Sequence, residues 1–116
     1  MDTKLKTRWL ADLRSGKYQQ AEGELHDYGR DAYCCIGVLC LSVGAAFEDF
    51  VDDEGGEFQN VPVLNYENIA LGNDNELSFK SLADFGLSTE EQRTLIKMND
   101  DGVSFSVIAD YIERNL

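Results

Sequence analysis

The longest apolar run of the chain, residues 32–47, constrains the fold more than any other feature because it has to be buried. Ser42 is the only polar interruption. Sixteen residues with two internal glycines are too few to span a membrane. Periodicity cannot separate a buried helix from a buried strand here, but the length favours a helix over Ala32–Ala46. Ile36, Cys40 and Val43 would then share one face.

Local signals before this run predict a helix followed by a short hairpin. Thr3 or Asp2 can cap a first helix that ends near Arg14, where a serine and a glycine provide a stop signal. The Lys17–Tyr33 region that follows is short and polar, with turn residues at 27–31. It therefore predicts a small β-hairpin.

The end of the chain predicts a helical hairpin. Ser88 and Glu91 have the spacing of a capping box, which opens a helix through about Met98. Ser104 can cap a last helix, because apolar residues recur behind it at helical spacing. At 116 residues the chain predicts a single domain, α+β and mostly helical. Residues 45–80 are expected to be an acidic, irregular surface excursion.

Charge limits the kinds of partner. Between Arg30 and Lys80 the chain has no lysine or arginine but ten carboxylates, Asp74 among them, and the net charge is −12. Such a stretch repels phosphate backbones and acidic membranes and attracts basic protein surfaces, so we expect neither nucleic acid nor membrane as a direct partner. The candidate residues for binding a basic protein are Asp49, Asp52, Asp53, Glu54 and Glu57.

A second candidate site lies near the beginning of the chain, where aromatic and basic side chains alternate. Aromatic rings can stack on a base while arginine grips a phosphate, so these residues suggest a pocket for a small nucleotide-like ligand. The alternative is that the charges are simply solvated. The residues of this candidate pocket are Arg8, Arg14, Lys17, Tyr18, Arg30 and Tyr33.

The cysteines and the single histidine are weak candidates for metal binding. Cys34, Cys35, Cys40 and His26 include no C-x-x-C pair, and a helix would direct the first two about 100° apart. A cysteine nucleophile would need His26 as its base. Free cysteines are most often small buried side chains, so we expect core packing and no cofactor.

Three segments together resemble a family of small proteins encoded by tailed bacteriophages and prophages. Trp9–Gln20 matches W-x-x-x-L-R-S-G-x-Y-x-Q, and Tyr33–Cys40 matches Y-C-C-(L/I)-G-V-L-C. Leu95–Glu113 matches L-N-D-x-G-x-S-F-x-x-I-A-x-x-I-E, with Met98 where the family often has leucine. The resemblance covers roughly half of the chain and implies a phage accessory protein, without transferring any catalytic residue.

These observations favour a non-enzymatic accessory protein that binds and occludes a host or defence protein through its acidic surface, as a mimic of nucleic acid. The alternative is a binder or hydrolase of a small nucleotide-like signal. A charged start without an apolar run and an odd number of cysteines predict a cytosolic protein, and the resemblance to phage proteins implies that the cytoplasm is bacterial. Monomer and homodimer both remain open.

Overall fold

The residues described by the computed structural model, 1–71 and 76–116, form an α+β fold of five helices and two three-stranded sheets, which confirms the predicted class. The helices are α1 (Thr3–Arg14), α2 (Cys35–Ser42), α3 (Phe79–Phe85), α4 (Thr89–Asp100) and α5 (Phe105–Asn115). The strands are β1 (Gln19–Gln20), β2 (His26–Asp27), β3 (Ala32–Tyr33), β4 (Ala46–Val51), β5 (Glu57–Leu64) and β6 (Glu67–Asn68).

Helix α2 lies at the centre of the core, and α1, α4 and α5 pack around it or around one another. Helix α1 begins as predicted, because Asp2 accepts a hydrogen bond from the Leu5 amide. Its buried face includes Trp9, whose indole N–H donates to the Cys35 carbonyl at 3.0 Å. That bond joins α1 to α2 and satisfies the only polar atom of a fully buried indole.

The central helix is shorter than predicted, because the apolar run 32–47 is divided among three elements. Its first residues form β3, and Ala46 already belongs to β4. Cys34 is the N-cap of α2, where its sulfur accepts a hydrogen bond from the Gly37 amide. The prediction of one helix over Ala32–Ala46 was therefore wrong at both ends.

The first sheet contains the predicted hairpin. β2 and β3 pair antiparallel around the turn at 28–31, with His26 opposite Tyr33. β1 adds to the other side of β3 in parallel, so the strand order is β1-β3-β2. The sheet is only two residues long in each strand, and its role is to fix the loops at one end of the core.

The second sheet corrects the interpretation of residues 45–80 as irregular. β4 and β5 form an antiparallel hairpin with a register shift between Glu48 and Phe50, and β6 pairs with the end of β5. Helix α3 follows, capped by Ser78 and ended by Gly86 in the left-handed conformation. Residues 72–75, including the predicted carboxylate Asp74, lie outside the described part.

The last two helices begin where the sequence predicted. Ser88 and Glu91 form a reciprocal capping box at the start of α4, and Ser104 caps α5. The buried side chains of α5 include Ile108 and Ile112. Across residues 1–71 and 76–116, none of the helices combines the length and apolar character that crossing a membrane requires.

Candidate functional site

The predicted acidic residues lie on one structural unit, the hairpin Ala46–Leu64, which we call the acidic hairpin. Two of the five have a structural role. The Asp52 carboxylate accepts from the backbone amides of Glu54 and Gly56, at 3.0 and 2.7 Å, and so organises the hairpin turn. The Asp49 carboxylate accepts from the Asn60 amide at 3.1 Å across the register shift.

The other acidic side chains of the hairpin are directed to solvent. Asp53 and Glu54 form its tip, and Glu48 and Glu57 lie along its strands, all exposed. Within the described residues, none of these four carboxylates has an ion-pair partner at 4 Å or less. They are therefore available to a positively charged partner.

A shallow hollow of about 370 Å³ lies beside the tip and combines aromatic rings with carboxylates. Phe50 and Phe58 are 6.5 Å apart between ring centroids, and Tyr66 is almost fully exposed. Asp52 and Asp53 also line this hollow. Aromatic faces next to carboxylates attract lysine and arginine side chains, so the hollow suits a cationic group.

His26 joins the acidic hairpin to the helical core. Its ring is buried and stacks on Tyr33, with ring centroids 4.5 Å apart. The ring of Phe47 in β4 lies beside it, with a centroid separation of 4.9 Å. Nδ1 lies 2.7 Å from Oδ1 of Asn60, and Nε2 lies 3.0 Å from Oδ1 of Asp31. The histidine is thus held by residues of both sheets and of the turn between β2 and β3.

Both ring nitrogens of His26 face acceptors. The side-chain nitrogen of Asn60 donates to the backbone carbonyl of His26 at 2.9 Å. The side-chain oxygen of Asn60 is therefore the atom that faces Nδ1 of His26. The hydrogen bond with His26 is the main reason that the pKa of the Asp31 carboxyl is lowered.

Asp31 and Asn60, the two side chains that contact the His26 ring nitrogens, both have left-handed backbones, with φ of 49° and 53°. This conformation is uncommon for residues other than glycine, although aspartate and asparagine tolerate it best. Tyr33 completes the group, because its hydroxyl donates to Asp31 at 3.3 Å. Burial is the main reason that the pKa of Tyr33 is raised.

A groove of about 630 Å³ lies between β5 and the segment that leads into β2. One wall is Glu57–Pro62, and the other is formed by Glu24, Leu25 and His26, with Ala70 at one side. Its volume is in the range of pockets that bind drug-sized ligands. Of the five acidic residues predicted to bind a partner, Glu57 is the one that lines it.

The six residues of the candidate nucleotide pocket are not brought together. Arg14 binds Asp110 and Glu113 of α5 at 2.8 and 3.1 Å, and Arg8 donates to the Ser42 carbonyl. Arg30 is paired with Asp27 at 3.0 Å, and Lys17 is exposed. Only Tyr18 and Tyr33 contact each other, edge to face at 5.6 Å. The three arginines are engaged with different elements, so they form no common phosphate site.

The cysteines are core residues. Cys34, Cys35 and Cys40 are free and essentially inaccessible. Burial raises the pKa of the Cys34 thiol to about 12 and that of the other two well above the ordinary value, which opposes the thiolate that a nucleophile or a metal requires. The described part of the chain contains no cluster of three or more His, Cys, Asp or Glu that could hold a metal ion.

The three recognisable sequence segments meet at one buried side chain, Asn99. Its amide oxygen accepts from the Cys35 backbone amide and from the Gln20 side chain, both at 3.0 Å. Its amide nitrogen donates to the Ala21 carbonyl at 2.7 Å. Gln20 in turn donates to the Val103 carbonyl at 2.7 Å. The motifs therefore encode a hydrogen-bonded junction between α2, α4 and the loop after β1.

Sequence reasoning found the acidic side chains but missed the histidine cluster, the groove and the junction. The sequence did contain a signal for Asn99. It lies four residues after Leu95, so in a helix both side chains lie on the same face, and that face is directed to the core. The groove gave no comparable signal, since it depends on how β5 lies against residues 24–26. Each of these features depends on contacts between distant parts of the chain.

Comparison with known proteins identifies a family. Residues 1–116 match the family described as "Domain of unknown function (DUF8296)". Searches of curated proteins and of solved structures gave no match. The match covers the whole chain.

Proposed function

Because the chain belongs to the DUF8296 family, whose function is unknown, we propose a function from its own surface chemistry: the protein binds a basic surface of a partner protein through the acidic hairpin. The binding is non-enzymatic. The resemblance of the three sequence segments to phage proteins favours a bacterial host or defence protein as the partner.

The observation that carries this proposal is the set of unpaired carboxylates on the acidic hairpin. Glu48, Asp53, Glu54 and Glu57 are exposed and have no ion-pair partner among the described residues. An ordinary solvated surface mixes both signs of charge, whereas residues 31–79 contain no lysine or arginine. The field of such a surface accelerates association with a basic partner and excludes acidic ones.

The aromatic hollow beside the tip supports the same proposal. Phe50, Phe58 and Tyr66 offer apolar and π surface next to the carboxylates of Asp52 and Asp53. Aromatic residues are enriched at the centres of protein interfaces, where they provide most of the binding energy. In this proposal a lysine or arginine of the partner enters the hollow, and the surrounding carboxylates pair with other basic side chains of the partner.

The proposed consequence of binding is occlusion. A basic groove that accepts nucleic acid is lined by lysine and arginine, and the carboxylates of the acidic hairpin can occupy the positions of the phosphates. If the partner binds nucleic acid, the protein should therefore displace it, and more strongly at low salt.

The test is affinity capture from a bacterial lysate with three baits, quantified by mass spectrometry. The baits are the wild type, the tip variant Asp53→Lys/Glu54→Lys, and the control Glu90→Lys/Asp101→Lys, in the first turn of α4 and at its C-cap. The control makes the same change in net charge at exposed positions. The expected result is a partner that the wild type and the control capture and the tip variant loses.

A captured partner is then measured by calorimetry at about 50 and about 200 mM salt, where affinity is expected to fall as screening increases. Equal capture by the tip variant and the wild type would contradict the proposal. So would an affinity that does not change with salt. Circular dichroism of the three baits verifies that each is folded.

A further inference from the structure

The groove between β5 and residues 24–26 runs along the edge of a strand. Its first wall consists of six consecutive residues, Glu57–Pro62. Side chains alternate between the two faces of a sheet, so a cavity over one face would be lined by every second residue. Consecutive lining residues mean that the groove exposes the backbone edge of β5.

This edge of β5 has no strand beside it over most of its length. β4 pairs with the opposite edge, and β6 pairs only with Val63 and Leu64. Residues 57–61 therefore lack a second strand partner within residues 1–71 and 76–116. The Asn60 backbone amide is turned towards β4, where it donates to the Asp49 carboxylate.

The chemistry of the groove defines its occupant. Leu25, Val61, Pro62 and Ala70 give it an apolar lining, and the exposed carboxylates of Glu24 and Glu57 lie on its two walls. The ring nitrogens of His26 are already bonded to Asn60 and Asp31. The groove thus offers backbone hydrogen bonds, apolar contacts and negative charge.

We propose that the groove binds an extended segment of a partner protein, which adds to the free edge of β5 as a new strand with lysine or arginine facing Glu24 and Glu57. This inference rests on the proposed function, since it specifies how the basic partner is held. Strand addition is a common mode of peptide recognition, in which the backbone provides affinity and alternate side chains provide specificity. Residues 57–61 span about 16 Å, which matches a segment of about five residues.

A second copy of this chain fits the groove poorly. Two copies that met at this groove would each bring Glu24 and Glu57 to the same contact, in a protein whose net charge is −12. Such a concentration of like charge opposes self-association. Charge complementarity therefore favours a different, basic protein.

The experiment titrates the ¹⁵N-labelled wild-type protein with three capped hexapeptides. The first alternates lysine and valine. The second has the same sequence with N-methylated backbone amides, so it keeps the charge and loses backbone donors. The third alternates glutamate and valine. Amide shifts and hydrogen exchange are followed by NMR, and affinities are obtained from the titration.

The expected result is binding of the lysine–valine peptide with slowed exchange at amides within residues 57–61 of β5. The N-methylated peptide should bind about tenfold more weakly, because the bonds to the strand edge are lost. The glutamate–valine peptide should not bind. The variant Glu24→Lys/Glu57→Lys, which changes only exposed side chains, should reverse the preference between the first and third peptides.

Other outcomes would overturn the inference and separate it from the proposed function. Equal affinity for the normal and N-methylated peptides, with shifts at Asp53 and Glu54, would refute strand addition and leave the acidic hairpin as the binding surface. Absence of binding at about 1 mM peptide, a Kd beyond the weak limit of specific recognition, would refute it as well. Protection of the β5 edge in the free protein that increases with concentration would identify a second copy as the occupant. The capture experiment with the tip variant judges the proposed function independently.

Discussion

Replacing Asn99 with leucine should cost more stability than almost any other single change. The side chain is fully buried and makes four hydrogen bonds, of which the one to the Asp100 carboxylate is the longest at 3.5 Å. Leucine has a similar size but leaves the Cys35 amide and the Ala21 carbonyl buried without partners. Each such group costs about 1–3 kcal/mol. Gln20 retains its bond to Val103, so we expect a total loss of about 4 kcal/mol.

This loss is measurable, because a domain of this length should unfold with a free energy of about 6–17 kcal/mol. The entropy of unfolding is about 0.24 kcal/mol/K for 116 residues. A loss of about 4 kcal/mol in the free energy of unfolding therefore lowers the Tm by about 16 °C. Urea unfolding followed by circular dichroism gives the free energy directly, and the slope m should stay unchanged.

The matched control is Asn115→Leu, whose side chain is exposed and donates only to the Tyr111 carbonyl. It should change stability by less than about 0.5 kcal/mol. Asn99→Asp keeps the acceptor and loses the donor, and its penalty should be smaller at low pH, where a protonated carboxyl can donate to the Ala21 carbonyl. A loss below about 1 kcal/mol for Asn99→Leu would refute the junction as a stabilising element.

Two further predictions concern a close backbone contact and a titrating pair. Gly37→Ala should destabilise the protein by about 1–3 kcal/mol in urea, because a Cβ would collide with the Leu25 carbonyl, while Gly29→Ala should change little; equal effects would contradict this. The hydrogen bond from His26 lowers the pKa of Asp31 in the folded protein. The ionised carboxylate therefore stabilises the fold above about pH 4, and this stabilisation is lost as the pH falls through the lowered pKa. Asp31→Asn should reduce the loss of stability between pH 6 and pH 3; an unchanged pH profile would contradict it.

Local signals predicted the helices well where capping and periodicity agree. The starts of α1, α4 and α5 follow from Asp2, Ser88 and Ser104, whose side chains satisfy free amides in the first turn of each helix. These interactions lie within one turn of the chain. They can therefore be recognised without knowing the fold.

The second sheet escaped prediction because its pattern is interrupted. The half-buried phenylalanines of β4, Phe47 and Phe50, are three residues apart, and the register shift places an extra residue in β5 opposite Asp49. A bulge of this kind breaks the alternation that identifies a strand. In addition, the acidic side chains on the exposed face give this segment the composition of a surface loop. Helix α3 had usable signals in Ser78 and Gly86, but it is only seven residues long.

The candidate sites were predicted in part, for a related reason. The acidic residues are visible in the sequence because charge does not depend on the fold. Their division into turn-forming Asp49 and Asp52 and solvent-directed Asp53, Glu54 and Glu57 depends on the hairpin. The groove and the His26 cluster require the packing of β5 against residues 24–26, and no local pattern encodes that.

The junction at Asn99 also bears on how the chain is made. Helix α2 is buried on almost every side, yet it is synthesised long before the residues that cover it. At about 5–20 residues per second, the ribosome needs roughly 4–14 s to proceed from residue 35 to residue 105. During that interval an apolar helix waits without Asn99 and α5. The nascent chain therefore contains this apolar segment without its covering residues until Asn99 and α5 have been synthesised.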